Sequence, residues 1–401
     1  MRRLLVLVSA VVFVDAMLFG ALIPLVPAYA DEFDLSKTGA GLLLGSFGAG
    51  ALLGGVPGGI AAARLGPRRA VLAGLLLLAA ASFAFALSGS PLALGLSRFV
   101  QGFSSTTTWA GALAWLTVAT PRDRRGQLIG TAFGFAVLGA ILGPLFGSVA
   151  DAVGIERAFA VTGVVALALA GWAAASADAE RETQSPGALR RAFGDRSFVG
   201  GLWLNTLPAL LFGLLGVLAP LRLDEEGLGT VAIGVAFFSA GLLETVLNPL
   251  VGRFSDRRGR LLPTRLALGA SVAVATALAF ATDAAPVLVL VCLAAVAFGG
   301  FYTPGMALVS DRAEVAGLAQ GLGFGIMNSA WAAGNLTGPS VGGVLADAFG
   351  DAVPYLGAAA LCLATLAATM RVRPLRRAAA AEGSAAAPTP RRAAGGGSPR
   401  R

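Results

Sequence analysis

Three side chains of this 401-residue chain stand where an ionisable group is expensive: Asp15, Arg98 and Glu244 each interrupt a long apolar run. A charge at the centre of a membrane helix costs about 2.5–3.5 kcal/mol on insertion scales, so such residues mark pathways more often than packing. Asp15 lies about 16 Å in from Leu4 at 1.5 Å of helix rise per residue, near mid-membrane. Arg98 lies about 9 Å in from Leu92 by the same rise, entering from the other side. Asp15 and Arg98 are expected to meet across the first and fourth apolar runs. That pairing reads either as a proton-exchange carboxylate tuned by a guanidinium or as a structural ion pair between two helices. Glu244 has Ala240 one helical turn back and Asn248 one turn on. It reads as a second proton-exchange carboxyl or as a neutral glutamate bonded to Asn248. Gln101, Asn205, Asn328 and Asn335 are polar candidates for a cavity wall, the last two standing two turns apart on one helix face. Phe133, Trp109, Trp115, Trp203, Tyr302 and Trp331 are aromatic candidates, and each reads equally well as packing or lipid-facing.

What is missing narrows the chemistry further. The chain has no histidine, which removes imidazole metal sites and histidine-activated nucleophiles. Cys292 and Cys362 both sit in apolar runs, so neither a disulfide framework nor a zinc ribbon is expected. No HExxH and no G-x-x-x-x-G-K-[ST] occurs, so metalloprotease chemistry and nucleotide drive are both unsupported. The expectation is a protein that is not an enzyme, with no metal and no cofactor.

The elements that must position these residues are membrane helices. The chain is 56% hydrophobic and 13% charged, with a mean hydropathy of +0.78; soluble domains carry about twice that charged fraction. A bilayer core needs roughly 20 apolar residues of helix. By that ruler the spans fall at 4–30, 38–62, 70–88, 92–119, 127–150 and 158–176, then at 198–221, 230–251, 262–282, 286–309, 317–346 and 353–370. The first thirty residues have the outline of a signal peptide, but the run exceeds a signal h-region and carries Asp15, Pro24 and Pro27, so it is expected to be retained. The reading is an all-α integral membrane protein of twelve transmembrane helices in two six-helix bundles. Residues 1–176 form the first bundle, 177–197 a linker and 198–370 the second bundle; 371–401 are a basic tail expected to be disordered.

Charge sets the expected orientation. Of the 30 lysines and arginines, Lys37, Arg157 and Arg222 fall on one side and Arg98 within a span. All the others fall on the side of the N-terminus, the linker and the tail. By the positive-inside rule both termini are cytoplasmic and the membrane is the cell membrane. The net charge of +8 is this topology signal and not a nucleic-acid footprint, and the tail arginines suit anionic headgroups of the lipid bilayer.

The halves repeat. At an offset of 193, Leu18, Phe19, Gly20, Leu22, Leu25, Pro27, Asp31, Glu32, Leu35 and Gly41 recur as Leu211, Phe212, Gly213, Leu215, Leu218, Pro220, Asp224, Glu225, Leu228 and Gly234. At an offset of 195, Gly130, Gly139, Gly143, Pro144 and Gly147 recur as Gly325, Gly334, Gly338, Pro339 and Gly342. The missing side chains let helices approach closely, and each proline removes a backbone donor and favours a kink. A parallel repeat of six spans is a transporter architecture with its site between the halves. Asp15, Arg98 and Glu244 have no counterpart in the repeat, as expected of functional additions to a duplicated scaffold.

These residues carry a resemblance to the major facilitator superfamily, in particular its twelve-span drug/proton antiporters, over residues 1–375. The loop expected after span eight, GRFSDRRGR (Gly252 to Arg260), is similar to the family's G-x-x-x-D-R-x-G-R signature. Its first-half counterpart, GIAAARLGPRR, carries Ala63 and Pro67 at the Asp and Arg positions. SRFVQG (Ser97 to Gly102) resembles the family's R-x-x-Q-G element. The span-five pattern from Gly130 to Gly147 resembles the motif of its exporters, with Ser148 in place of the last glycine. The resemblance implies a gating role for Gly252, Asp256, Arg257, Gly259 and Arg260. It also implies proton-coupled efflux of a small amphipathic or drug-like solute by alternating access, driven by the proton gradient and working as a monomer. A proton-coupled importer or facilitator of a small metabolite is the alternative on the same scaffold. A reporter fused after Arg377 is expected to stay in the cytoplasm, and activity of that fusion on the far side of the membrane refutes the topology.

Overall fold

The computed structural model describes residues 2–121, 124–177, 187–258, 261–318 and 320–371, and it is built of helices throughout these residues. Span one is α1 (Arg2–Ala21), a 3-10 turn (Ile23–Leu25) and α2 (Val26–Phe33); spans two to six are α3 (Lys37–Leu65), α4 (Pro67–Ala86), α5 (Pro91–Ala119), α6 (Arg125–Val153) and α7 (Ile155–Ala175). The second half opens with a short helix, α8 (Ala188–Gly194), inside the expected linker. Spans seven to nine are α9 (Arg196–Glu225), α10 (Thr230–Arg258) and α11 (Leu261–Phe280). Span ten is α12 (Ala284–Gly299) with α13 (Tyr302–Ala316), span eleven α14 (Gln320–Phe349) and span twelve α15 (Ala352–Arg371). Ten of these segments are long and apolar enough to cross a bilayer. The remaining two, α5 and α14, complete the twelve spans; their serines, threonines and glycines lower their hydropathy because they face protein instead of lipid.

Local chemistry sets the boundaries. Ser36 Oγ accepts from Gly39 N at 3.4 Å and Ser90 Oγ from Ala93 N at 3.3 Å, capping α3 and α5. Pro67 and Pro91 open α4 and α5 at positions where the missing N–H costs nothing. Two spans expected to be continuous are broken. Pro24 and Pro27 interrupt span one, and Gly299-Gly300 followed by Pro304 interrupts span ten. The stretch from Gly252, expected as a loop, is instead helical as far as Arg258, because arginine is a good helix former and α10 runs on beyond its apolar part. Gly259 and Arg260 lie outside the described residues, as does most of the expected tail.

The repeat is visible in the packing. Span one lies along span five (α1 on α6), and span seven lies along span eleven in the same way (α9 on α14). The halves meet along two related seams, α3 with α14 and α6 with α10. At the end of the bundle poor in arginine the first seam is ionic. Lys37 Nζ lies 2.7 Å from Asp351 Oδ1 and 3.6 Å from Glu225 Oε1, both in the other half. Asp347 of α14 accepts from the backbone N–H of Lys37 at 3.1 Å and of Thr38 at 2.8 Å, serving the N-terminus of α3 from across the seam. A cavity of about 300 Å³ lies behind this cluster, bordered by Leu218, Arg222, Leu278 and Tyr355. The matching corner of the second seam is neutral: Ser148 Oγ donates to Thr230 O at 3.0 Å. Asp347→Ala should weaken the ionic corner by about 1 kcal/mol, the usual worth of a helix cap. Spin labels on the adjoining ends of α3 and α14 should then show a longer-distance population, and an unchanged distribution refutes the cross-seam role of Asp347.

Candidate functional site

Asp15 and Arg98 are both buried at the centre of the first half, at 4% and 0% exposure; they lie within electrostatic reach of each other, but their hydrogen bonds go to other partners. Asp15 Oδ2 accepts from Ser105 Oγ and from Trp109 Nε1, each at 2.7 Å. Arg98 turns to backbone instead: Nη1 donates to Leu18 O at 3.1 Å and to Gln101 Oε1 at 3.0 Å, and Nη2 to Leu18's neighbour Phe19 O at 3.4 Å. Its guanidinium carbon stands 4.9 Å from the centre of the Phe47 ring. The turn of Arg98 toward backbone has a physical reason. Because α1 ends at Ala21, the carbonyls of its last turn are short of helical donors, and in a membrane interior such groups must be satisfied by protein.

A chain of rings leads outward from Asp15. Trp109, held by the carboxylate, lies 5.5 Å from Phe133 of α6, and Phe133 lies 6.4 Å from Phe324 of α14 in the other half. These two phenylalanines border a cavity of about 330 Å³ at the arginine-rich end, with Ile129, Met306, Val309 and Met327 on its walls. Every lining side chain among the described residues is uncharged, and Ser310 is the polar one. Of the polar wall candidates, Asn205 does not face the cavity: it is fully buried and donates to Met327 O at 2.7 Å, holding a wall residue from behind. Gln101 is fully buried too, its Oε1 accepting from Arg98 while its Nε2 has no partner among the described residues. Asn335 is buried in α14 and Asn328 half-buried, while the side chain of Asn248 lies outside the described residues.

The aromatic candidates divide. Trp115 is core, and Trp203 donates to Thr365 Oγ1 at 3.0 Å on the outside of the second half. Trp331 of α14 meets Phe19 and Phe47 at 5.0 and 6.4 Å, closing the middle of the molecule between the halves. Phe19 and Phe47 were not legible as site residues, since one phenylalanine in an apolar run looks like another. Glu244 stands against Gly299, at the break of span ten, and within electrostatic reach of Tyr302.

The glycine-proline pattern is packing in both copies. A Cβ on Gly139, Gly143 or Gly147 would strike backbone at Phe13, Met17 or Ala21 of span one; one on Gly334 or Gly338 would strike Thr206 or Leu210 of span seven. Gly342 faces Leu214, and Gly325 faces Gly55 of α3. Gly130 has open space instead, so the first position of the pattern does not pack. Pro144 lies against Gly20 and Pro339 against Gly213, equivalent contacts in the two halves.

Twelve spans in two matching halves, meeting around a cavity, are the build of a transporter in which the halves move about a central site. Comparisons with known proteins agree. The profile of the Major Facilitator Superfamily matches residues 8–324, and the chain belongs to that superfamily. It is 31% identical over 168 residues to the MFS-type transporter ppzB of Metarhizium rileyi, covering 40% of this chain and 35% of that protein. The match thus spans about a third of that relative's length. It is 25% identical over 348 residues to the quinolone resistance protein NorA of Staphylococcus aureus, covering 84% of this chain and 88% of NorA. In fold it is similar to a bacterial homolog of the human lysosomal transporter Spinster in an inward-facing, unoccupied conformation. The TM-score is 0.72 at 14% identity, covering 92% of this chain and 93% of the other. Gly143→Leu should lower the melting temperature and the folded yield, because overpacking costs about 1–3 kcal/mol. Gly134→Ala, which meets nothing within 4 Å, should leave both unchanged or slightly raised. Equal tolerance at the two positions refutes the packing account.

Proposed function

We propose that this protein exports a small amphipathic or drug-like solute across the cell membrane in exchange for protons, working as a monomer with both termini in the cytoplasm. The observation that carries this reading is the hydrogen bond from Trp109 to Asp15, because Trp109 also stacks toward the cavity wall at Phe133. A charged carboxylate is a strong acceptor for an indole N–H, and a protonated one is a weaker acceptor. Proton occupancy of Asp15 therefore governs how firmly Trp109 is held, and Trp109 in turn supports a ring of the solute site.

The direction of access follows from charge. With the arginine-rich end in the cytoplasm, the apolar cavity lies toward the cytoplasm and the Lys37 cluster closes the outer side. An uncharged cavity bordered by rings and methionine suits a solute with substantial apolar surface. The likeness to a quinolone resistance protein over 88% of its length supports export. In the cycle, solute enters from the cytoplasm, the halves rock, the outer ion cluster parts, and Asp15 takes a proton from outside as solute leaves. Return of the halves releases that proton to the cytoplasm. Glu244, against the break of span ten in the second half, is the reserve carboxylate for a stoichiometry above one.

Purified protein in liposomes should accumulate a fluorescent apolar solute when a proton gradient is imposed. Asp15→Asn should abolish accumulation against a gradient while leaving downhill exchange. Full proton-driven transport in Asp15→Asn removes Asp15 from the mechanism, and loss in Glu244→Gln alone moves the coupling site to span eight.

A further inference from the structure

We propose that Arg98 is a positioning residue that clamps the break in span one and thereby holds the aromatic closure between the two halves. The proposal is independent of what the protein carries and of whether protons drive it.

Distance along α5 argues first. Ser105 and Trp109, the two donors to Asp15, lie seven and eleven residues beyond Arg98. At 1.5 Å per residue the nearer of them is about 10 Å farther along the helix axis. Asp15 thus reaches a different level of α5 from the one Arg98 occupies. Nη1 and Nη2 of the guanidinium bond at its own level, to Leu18 O, Phe19 O and Gln101 Oε1, while Nε is buried without a partner among the described residues.

The needs of span one argue second. α1 ends at Ala21 and gives way to a 3-10 turn in which Leu25 N bonds Leu22 O at 3.0 Å. Pro24, which has no N–H, keeps the chain from continuing as α-helix. The carbonyls of Leu18 and Phe19 belong to the last turn of α1, the negative end of its dipole, and they are buried in the bundle. A cation with several donors spread in one plane satisfies two carbonyls at once and neutralises the dipole end. Gln101, one turn along α5, fixes the orientation by accepting from Nη1.

The rings argue third. The residue whose carbonyl Arg98 holds, Phe19, and the residue on which Arg98 stacks, Phe47, lie 5.2 Å apart, and both converge on Trp331 of the other half. One buried side chain therefore fixes the backbone of one ring and the face of another, and together these rings make the first half's side of the closure. An ammonium has the charge but neither the plane nor the spread of donors, so lysine cannot replace arginine here.

The test reads the closure itself, with no solute and no gradient, so it stands or falls separately from the export reading. In full-length protein with Cys292 and Cys362 replaced by alanine, Ala332→Cys places a thiol in α14 beside Trp331, at a position with 0% exposure. Its maleimide alkylation should be slow with Arg98 present. In Arg98→Lys it should be at least about tenfold faster, the factor that loss of a charge-assisted hydrogen bond allows. Gln101→Leu, which keeps the charge and both rings and removes the acceptor that orients Nη1, should also accelerate it. Alkylation of Arg98→Lys at the parent rate shows that charge alone suffices and overturns the proposal. Should Arg98→Lys fail to fold, Gln101→Leu decides, and the parent rate in that variant overturns the proposal equally.

Discussion

Helices in a bilayer gain nothing from hiding apolar surface from lipid, so they hold together by approaching until backbone meets backbone. This chain arranges that approach with glycine. Gly139, Gly143 and Gly147 bring span five onto the carbonyls of span one, and Gly334 and Gly338 bring span eleven onto those of span seven. Gly50 and Gly102 do the same between spans two and four. Everything else in the first half rests on this closeness. Span one is held against span five and span four against span two in this way, and Asp15 and Arg98 bridge between those two pairs, to Ser105 and to Leu18 O.

The close approach also explains why the buried polar groups of the first half form a connected set. Asp15, Ser105 and Trp109 make one cluster, and Arg98, Gln101 and two backbone carbonyls make the next, a few turns along the same α5. The second half has the same scaffold without this equipment. Its first span, α9, runs through Pro208 and Pro220 as one helix and needs no arginine at a break. Its own break is in span ten, and Glu244 stands against it.

The spans, the repeat and the family were legible because hydropathy, arginine placement and glycine spacing are properties of the sequence itself. Asp15 and Arg98 were found because a charge in an apolar run is conspicuous. Their partners were not. Whether an arginine meets a carboxylate on a neighbouring helix or a carbonyl in that helix's last turn depends on the vertical register of two helices, which a single sequence does not contain. Asn205 failed as a wall residue for a related reason: helical periodicity gives a face, but not the neighbour that the face meets. The extension of α10 to Arg258 was missed because charge reads as solvent exposure, and an exposed helix end is as polar as a turn.

The two outer corners between the halves are built of different stuff. The corner around Lys37 is charged and partly open, with 26% of the lysine side chain accessible, whereas the other is held by an uncharged hydrogen bond from the buried Ser148 to Thr230 O. Dissolved electrolyte screens exposed charges over a Debye length of about 8 Å at physiological ionic strength and hardly touches a buried neutral contact. The salinity of the medium beyond that face thus loosens one corner and spares the other. A bundle that is nearly symmetric in sequence responds to its surroundings as a lopsided one.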